Sequence, residues 1–515
     1  MQKFNNLKQL ILLSGLFLML AKMSFSQHQG FFNVYNNSEK SLIPIAAIET
    51  CDGGFIVSAF DSYQSSYGEL IKISDEGELV KRISIPPVML SSYIYSYIDF
   101  ICQDPDNPDL YIALGCAYSY GQGIEKSFIA YFDEELNDFS VKIIDLPDEY
   151  QSAAYISRQP TNDNKFLCAY NIVEREKRIY MIINQDGEIE KLAEDTVTQN
   201  TDMFPTIGVF FEYPEGNRYG HYRTSYYCPP SPRLTTRLFT FDENFNPETV
   251  LEYTTFSDTV NGLITHYTPL TMDIVTAKPL NDTTMLFCDQ FKQAHGPNGD
   301  NSTLLFKTDL NGNIGDFLVI GSWNDSTDRP AFQQSFDYVQ DDTVSNRSIF
   351  VCCGTTKRTY YTDDDPNPIK IYKVDENFDI DWHKSYRYLH HGLIPMNIVA
   401  TQDGGCLVVG STLKNEQYNI FALKLDSEGM VNTNEISVTN ELVFYPNPVK
   451  DVLQIRYPAE AKPCQIDLYD LRGHLMRSQS KGLESISMED LPAGTYTIRV
   501  TLEGGKMYSD KVVKE

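Results

Sequence analysis

A turn that recurs seven times is the feature that most limits how this chain can fold. A short β-rich run, a polar six-residue turn and a second β-rich run repeat along the sequence, with the turns opening at Ser74, Asp133, Asn184, Asp242, Asp309, Asp375 and Asp426. Successive openings stand 51 to 67 residues apart, which fits a four-stranded propeller blade with variable loops better than the shorter turn of a solenoid. Seven turns therefore predict seven blades. Asp or Asn opens six of them because its side chain can bond backbone two residues further on, and Gly77, Gly187, Gly312 and Gly429 supply positive φ. These acidic residues read as structural.

Upstream of each turn lies a half-repeat of strand, turn and buried strand. It is clearest in Thr50-Cys51-Asp52-Gly53-Gly54-Phe55 and Thr401-Gln402-Asp403-Gly404-Gly405-Cys406, where Asp-Gly-Gly is a hairpin signal. The fourth blade, around Arg218 to Tyr227, matches worst. Phe31 to Phe60 aligns without a gap to Trp382 to Ser411 at an offset of 351 residues. Trp382 to Tyr386 follows a turn and so belongs to the outer strand of blade six, which places Phe31 to Tyr35 in the outer strand of blade seven. The N-terminal strand is expected to close the ring, since a sheet shared between the chain ends is harder to open than packing alone.

Composition agrees with an all-β chain: of 515 residues 42% are hydrophobic, and the aromatics are 33 Tyr and 29 Phe with only 2 Trp. Residues 1–26 read as a secretory signal, with Lys3 and Lys8 ahead of an apolar stretch from Leu10 to Leu20 and small residues Ser24 and Ser26 before the cut. The mature chain is expected to begin at Gln27, with no integral membrane span after cleavage. The formal charge of −28 opposes binding to phosphate backbones and anionic lipid, so nucleic acid is not an expected partner.

After a propeller assigned to residues 27–431, the polar stretch 432–440 reads as a linker. From Glu441 the pattern changes to short strands and turns through Glu515, implying a small immunoglobulin-like β-sandwich. Four motifs follow in order: Tyr445-Pro446-Asn447-Pro448, Leu468-Tyr469-Asp470-Leu471-Arg472-Gly473, Leu491-Pro492-Ala493-Gly494-Thr495-Tyr496, and Lys511-Val512-Val513-Lys514-Glu515. Pro446 and Pro448 fix an extended entry, Gly473 and Gly494 permit turns, and Tyr496, Ile498 and Val500 alternate on one strand face. Over its whole length this region, 441–515, resembles the type A C-terminal sorting domain of type IX secretion substrates of Bacteroidetes. The resemblance implies export to the periplasm, recognition by the type IX translocon and its sortase machinery, and removal of the domain in or near 432–440. The protein would then be secreted or held at the outer cell surface.

The ten cysteines read as free thiols, because Cys168, Cys288 and Cys352 occupy similar buried-strand positions in separate blades, too far apart to bridge. The histidines have no zinc-ligand spacing, and His390-His391 falls in a loop. No cofactor is expected. Calcium is the one cation for which the sequence offers oxygen-rich loops, at Asp104, Asp106 and Asp109 and at Asp363-Asp364-Asp365, though neither matches the twelve-residue loop pattern. No catalytic residue is assigned, since no nucleophile elbow, phosphate loop or sialidase box is present. Tyr63, Tyr67, Tyr93, Tyr95, Tyr97, Tyr118, Tyr120, Tyr222, Tyr226 and Tyr227 are candidates for a ligand surface or for inter-strand packing. The sequence is best read as a non-enzymatic propeller binding a glycan or protein. The alternatives are a surface glycoside hydrolase or lyase with loop carboxylates at the propeller mouth, and a structural envelope protein.

Overall fold

The computed structural model describes residues 30–36, 40–62, 67–85, 95–104, 107–119, 124–147, 153–161, 165–172, 177–195, 204–227, 233–253, 256–260, 263–269, 276–293, 301–320, 326–339, 347–357, 367–388, 391–414, 417–433, 436–440, 443–445, 449–457, 462–470, 473–503 and 507–514. The expected signal peptide lies outside them. Every regular element among the described residues is a strand, and the strands form seven antiparallel sheets followed by a two-sheet sandwich. The protein is an all-β, seven-bladed propeller with an immunoglobulin-like domain at its C-terminal end.

Blades one to four are plain four-stranded meanders, the first running Leu42–Glu49, Phe55–Asp61, Glu69–Ile73 and Leu79–Ser84. Blade four, which matched the repeat worst, keeps this order, with Tyr219–Tyr227 as its second strand. Blade five carries an extra hairpin, Phe256–Val260 and Leu263–Pro269, whose second strand continues the sheet at the end of Thr284–Gln293. In blade seven the order is Leu393–Ala400, Cys406–Lys414, Gln417–Leu425 and then Phe32–Tyr35. The N-terminal strand pairs antiparallel with Gln417–Leu425, Phe32 opposite Leu423 and Tyr35 opposite Ile420.

No single core fills the ring. Apolar side chains form one cluster at each of the seven seams between neighbouring blades, the seam of blades seven and one included. The polar turns between third and outer strands clip these seams together. In four of them the opening Asp accepts backbone N–H bonds from residues two and four further on: Asn244 and Asn246 to Asp242, Asn311 and Asn313 to Asp309, Asn377 and Asp379 to Asp375, Glu428 and Met430 to Asp426, all at 2.8–2.9 Å.

The fourth residue of every turn has left-handed backbone, and its identity alternates around the ring. Gly77, Gly187, Gly312 and Gly429 serve blades one, three, five and seven, whereas Leu136, Phe245 and Phe378 serve blades two, four and six. The three bulky residues are buried and join the apolar cluster shared with the preceding blade. Left-handed backbone costs a non-glycine residue roughly 1–2 kcal/mol, which burial of a large apolar side chain, about 1.5–3 kcal/mol, offsets. At the glycine turns the plug is reversed. Trp382 and Tyr386 of the outer strand of blade six lie over Gly429, where a Cβ would stand 2.7 Å from the Trp382 ring, and Tyr386 Oη donates to Gly429 O at 2.8 Å. The N-terminal strand repeats this on blade one: Phe31 covers Gly77, where a Cβ would stand 2.4 Å from its ring, and Tyr35 Oη donates to Gly77 O at 2.7 Å. The alignment at offset 351 therefore records one contact set used at two consecutive seams.

Those two blades also share a charged hairpin lock. In blade one, Asp52 Oδ1 accepts from Thr50 Oγ1 at 2.6 Å, from Gly54 N at 2.9 Å and from Lys72 Nζ at 2.8 Å. In blade seven Asp403 accepts from Thr401, Gly405 and Lys424 at 2.5, 3.0 and 2.7 Å. Partial burial pushes the Asp52 carboxyl up, but the Lys72 hydrogen bond overrides this and holds it at about 2.

The stretch 432–440 differs from the linker expected of it. Ile436–Asn440 is a strand that pairs with the outer strand of blade six, Ile436 opposite Tyr388 and Asn440 opposite Lys384. Ile436 is buried in the cluster between blades six and seven. Just before it, Asn432 N donates to Gly30 O at 2.9 Å, tying the exit of the propeller to the entry of the closing strand. The physical reason is the open backbone edge of blade six, which a β-prone Ile-Ser-Val-Thr run satisfies.

Removing Phe31 to Tyr35 deletes the pairing with Gln417–Leu425 and three buried aromatic side chains. The deletion is expected to cost roughly 5 kcal/mol or more. Thermal unfolding measures it, and an unchanged melting temperature would refute the closure.

Candidate functional site

Two regions carry chemistry beyond the scaffold: one end of the sandwich, and the polar groups at the seams of the ring. In the sandwich, Val443–Tyr445, Val452–Arg456 and Ser485–Ser487 face Leu475–Gln479, Pro463–Asp470, Gly494–Leu502 and Met507–Lys514. Its core is built from Leu453, Ile466, Leu468, Ile486, Ile498, Val500 and Val512, all 0–1% exposed.

Described residues of the second, third and fourth motifs, far apart in sequence, meet at one end of this domain. Asp470 stands opposite Tyr496, Tyr496 opposite Val512 and Gly494 opposite Lys514 in adjacent strands. Val449, which follows Pro448, donates its N–H to Val513 O at 2.7 Å, so the entry of the domain is fastened to its final strand. Asp470 to His474 forms the same Asp-capped turn as the blades: Asp470 Oδ1 accepts from His474 N at 2.8 Å and Gly473 has φ 82°. Tyr496 is buried and its Oη donates to Pro492 O at 2.7 Å, which holds the Leu491-Pro492-Ala493 corner. Gly494 differs from the turn residue expected. It begins a strand without positive φ and has room for a methyl group, and nothing in the structure requires glycine there. Val513 and Lys514 are buried beside Val512. Pro446, Asn447 and Pro448 lie outside the described residues, as do the side chains of Tyr445 and Lys511.

In the ring, the buried carboxylates are engaged inside the scaffold. Asp289 is fully buried at the seam of blades four and five, where Tyr222 Oη donates to its Oδ2 at 2.9 Å and Gln290 N to its Oδ1 at 2.6 Å. Burial pushes this carboxyl up to about 7, against the opposing hydrogen bond from Tyr222. Asp328 accepts from Thr355 Oγ1 at 2.6 Å and from Lys370 Nζ at 3.2 Å. Glu69 is paired with Lys40 at 3.0 Å and Arg82 at 3.4 Å. Sequence reading singled out none of these three: Asp289 is held by Tyr222 of the neighbouring blade, and the partners of Asp328 and Glu69 are 13 to 42 positions away in sequence, so no local pattern marks them.

Of the tyrosine candidates, Tyr222 is a core residue, bonded to Asp289 and packed on Phe287. Tyr67 and Tyr97 are half-buried near the junction of blades one and two, Tyr97 against Phe60. The side chains of Tyr63, Tyr93, Tyr95, Tyr118, Tyr120, Tyr226 and Tyr227 are outside the described residues, as are Asp106 and Asp363 to Asp365. Asp104 is half-buried and Asp109 exposed. Among the described residues no group of three His, Cys, Asp or Glu side chains is placed to hold a metal ion. The nine described cysteines are free thiols, six of them buried, including Cys168, Cys288 and Cys352.

The architecture defines a closed β-propeller joined to an immunoglobulin-like domain. Residues 443–515 match the family model described as a secretion system C-terminal sorting domain. This part of the chain is a type IX secretion sorting domain, and the protein is a substrate of that machinery, exported to the cell surface or secreted. No curated protein matches the chain. Several solved structures are similar to the chain at low identity. The β-propeller domain of the trilobed protease of Pyrococcus furiosus, described as having an open velcro topology, is 10% identical, covering 80% of this chain and 98% of its own at a TM-score of 0.40. An α-L-arabinofuranosidase of Fusarium graminearum is 8% identical, with 78% and 98% covered and a TM-score of 0.38. The extracellular domains of Drosophila semaphorin 1b are 9% identical, with 77% and 88% covered and a TM-score of 0.44.

Two outcomes follow. Val512→Asp places a charge in the sandwich core, a change costing several kcal/mol, and is expected to retain the protein inside the cell; cell fractionation checks this, and normal export would contradict it. Because the folded pKa of Asp289 is raised to about 7 from about 3.9 in an unfolded chain, its contribution to stability is fully present below about pH 4. It is lost as the pH rises towards 7. Asp289→Asn should flatten that part of the stability curve, as read by denaturant unfolding from pH 4 to 8; an unchanged slope would contradict it.

Proposed function

We propose that this protein is an exported binding module, without catalytic activity, whose propeller engages a glycan or a protein through one face of the ring. An antiparallel meander sends alternate connections to opposite ends. The short turns at 50–54, 74–78 and their counterparts occupy one end, and the outer strands of blades one to three finish at Ser84, Ile143 and Asp195 on the opposite end, where the longer stretches of chain to the next blade depart. The described turns at the short-turn end spend their polar groups on internal hydrogen bonds, which favours the opposite end as the recognition face.

The observation that carries the non-catalytic reading is Asp289. Its pKa of about 7 suits a general acid, yet it is fully buried and held by Tyr222, out of reach of a substrate. The wider setting belongs to the same proposal: a cleaved signal peptide leaving Gln27, a Bacteroidetes source, and removal of the sorting domain by the export machinery. With Ile436–Asn440 paired into blade six, that removal falls on the sorting-domain side of Asn440.

Screening the full chain against glycans and cell-surface proteins, with hydrolysis followed in parallel, tests the reading. Direct binding without turnover is expected, weakened several-fold by Tyr97→Ala if the junction of blades one and two takes part. Turnover of any glycan, lost on changing a single carboxylate, would replace it with the glycoside hydrolase reading. Mass spectrometry of the external protein is expected to find a C-terminus at or beyond Asn440, and a terminus before Ile436 would refute the placement of the cut.

A further inference from the structure

The chain enters and leaves the ring side by side, and one glycine sits between the two paths. Gly30 meets backbone on both sides: a Cβ there would stand 2.4 Å from Lys424 O, 2.6 Å from Met430 O and 3.2 Å from Val431 Cα. Any side chain at this position would push the closing strand off its seat. Two backbone bonds hold the seat, Lys424 N donating to Phe31 O at 2.8 Å and Asn432 N to Gly30 O at 2.9 Å. The first belongs to the sheet of blade seven. The second comes from the outgoing chain, four residues before Ile436 reaches the edge of blade six.

The outgoing strand leans on the incoming one a second time, through its anchor. Ile436 is buried in the apolar cluster that also contains Phe32, with Val34, Tyr388 and Val431 packed against it. The rings of Phe32 and Tyr388 are 5.0 Å apart, and Tyr388 is the residue paired opposite Ile436. The pocket that receives Ile436 is therefore walled in part by the closing strand. An isolated pairing of this length is marginal in water, so Ile436–Asn440 depends on that wall to stay on the edge of blade six.

Whether this strand is seated decides how closely the sorting domain is held. With Asn440 on blade six, Glu441 and Leu442 are all that separates the ring from the first sandwich strand, Val443–Tyr445, and the Cα atoms of Asn440 and Val443 stand no more than about 11 Å apart. With the strand released, the chain is free from Val431 onward and can reach roughly 40 Å. We propose that the closing strand and the exit strand form one latch: docking of Phe31 to Tyr35 on blade seven holds Ile436–Asn440 on blade six, and the sorting domain is drawn in only on a closed ring. An open ring carries that domain on a long tether exposed to proteases. Coupling of this kind is reciprocal, so loosening either strand loosens the other. The latch works whatever the propeller binds.

Hydrogen exchange of the full chain and three variants tests it. Gly30→Ala strikes the incoming strand, Ile436→Ser strikes the anchor of the outgoing one, and Asn432→Pro removes the N–H that joins them while leaving both ladders intact. Each is expected to speed exchange at 32–35 and at 436–440 together, by roughly two- to tenfold for Asn432→Pro, as loss of one hydrogen bond does, and by more for the other two. Protection of Leu110–Ser119 in blade two, remote from the latch, should not change. A glutamate-specific protease reads the tether, since Glu435 and Glu441 flank the strand: cleavage there should be slow in the parent and rise with the open population in each variant. Gly30→Ala that frees 32–35 alone, Ile436→Ser that frees 436–440 alone, or Asn432→Pro that changes neither would show two independent strands and overturn the latch. So would a parent cut as fast as its variants, or variants that all lose protection in blade two as well.

Discussion

The ring depends on one antiparallel pairing, that of Phe32–Tyr35 with Gln417–Leu425. Seven sheets arranged in a circle have one seam that chain connectivity does not secure, between the last blade and the first. Here the N-terminal strand belongs to blade seven by hydrogen bonding and reaches blade one through Phe31 and Tyr35, which sit on the Gly77 turn. The closing seam is thereby made from the same parts as the seam before it, where Trp382 and Tyr386 sit on Gly429. The apolar material is spread over seven separate seams, so none of them can be weak without opening the ring.

Alternation of the turn residue follows from that requirement. Where a blade presents a glycine turn, its neighbour reaches over with a side chain from its outer or third strand; where it presents Leu136, Phe245 or Phe378, the turn itself reaches into its neighbour. Seven is odd, so two glycine turns must be consecutive around the ring. They are Gly429 and Gly77, at the two seams built by Trp382 to Tyr386 and by Phe31 to Tyr35. The exit strand Ile436–Asn440 then lies on the edge of blade six, with Asn432 bonded to Gly30. The beginning and the end of the propeller are one structural unit, and the sorting domain follows from it.

Much of this was legible because Asp-x-x-Gly turns and Asp-Gly-Gly hairpins are local signals whose mechanism resides in a few adjacent residues. The blade count, the closing strand and the sandwich all came from such signals or from their spacing. What escaped depends on partners distant in sequence. Leu136, Phe245 and Phe378 hold left-handed backbone only because the neighbouring blade buries them, and a turn read by itself assigns positive φ to glycine alone. Tyr222 stood open between a ligand surface and packing because its partner Asp289, which settles it as a core residue, is 67 positions away. The 432–440 stretch read as a linker because its polar composition hides that the edge of blade six was free to pair with it. The sorting motifs were legible one by one, whereas their convergence through Asp470, Tyr496, Val512 and Lys514 required the strand register.

The most direct measurement of the central claim is amide hydrogen exchange across residues 32–35 in the full chain. If this strand closes the ring, its amides are protected to the level of Gln417–Leu425, because opening one exposes the other. Exchange at the rate of an unstructured segment, with Gln417–Leu425 still protected, would show that the ring is held without it and would contradict the account.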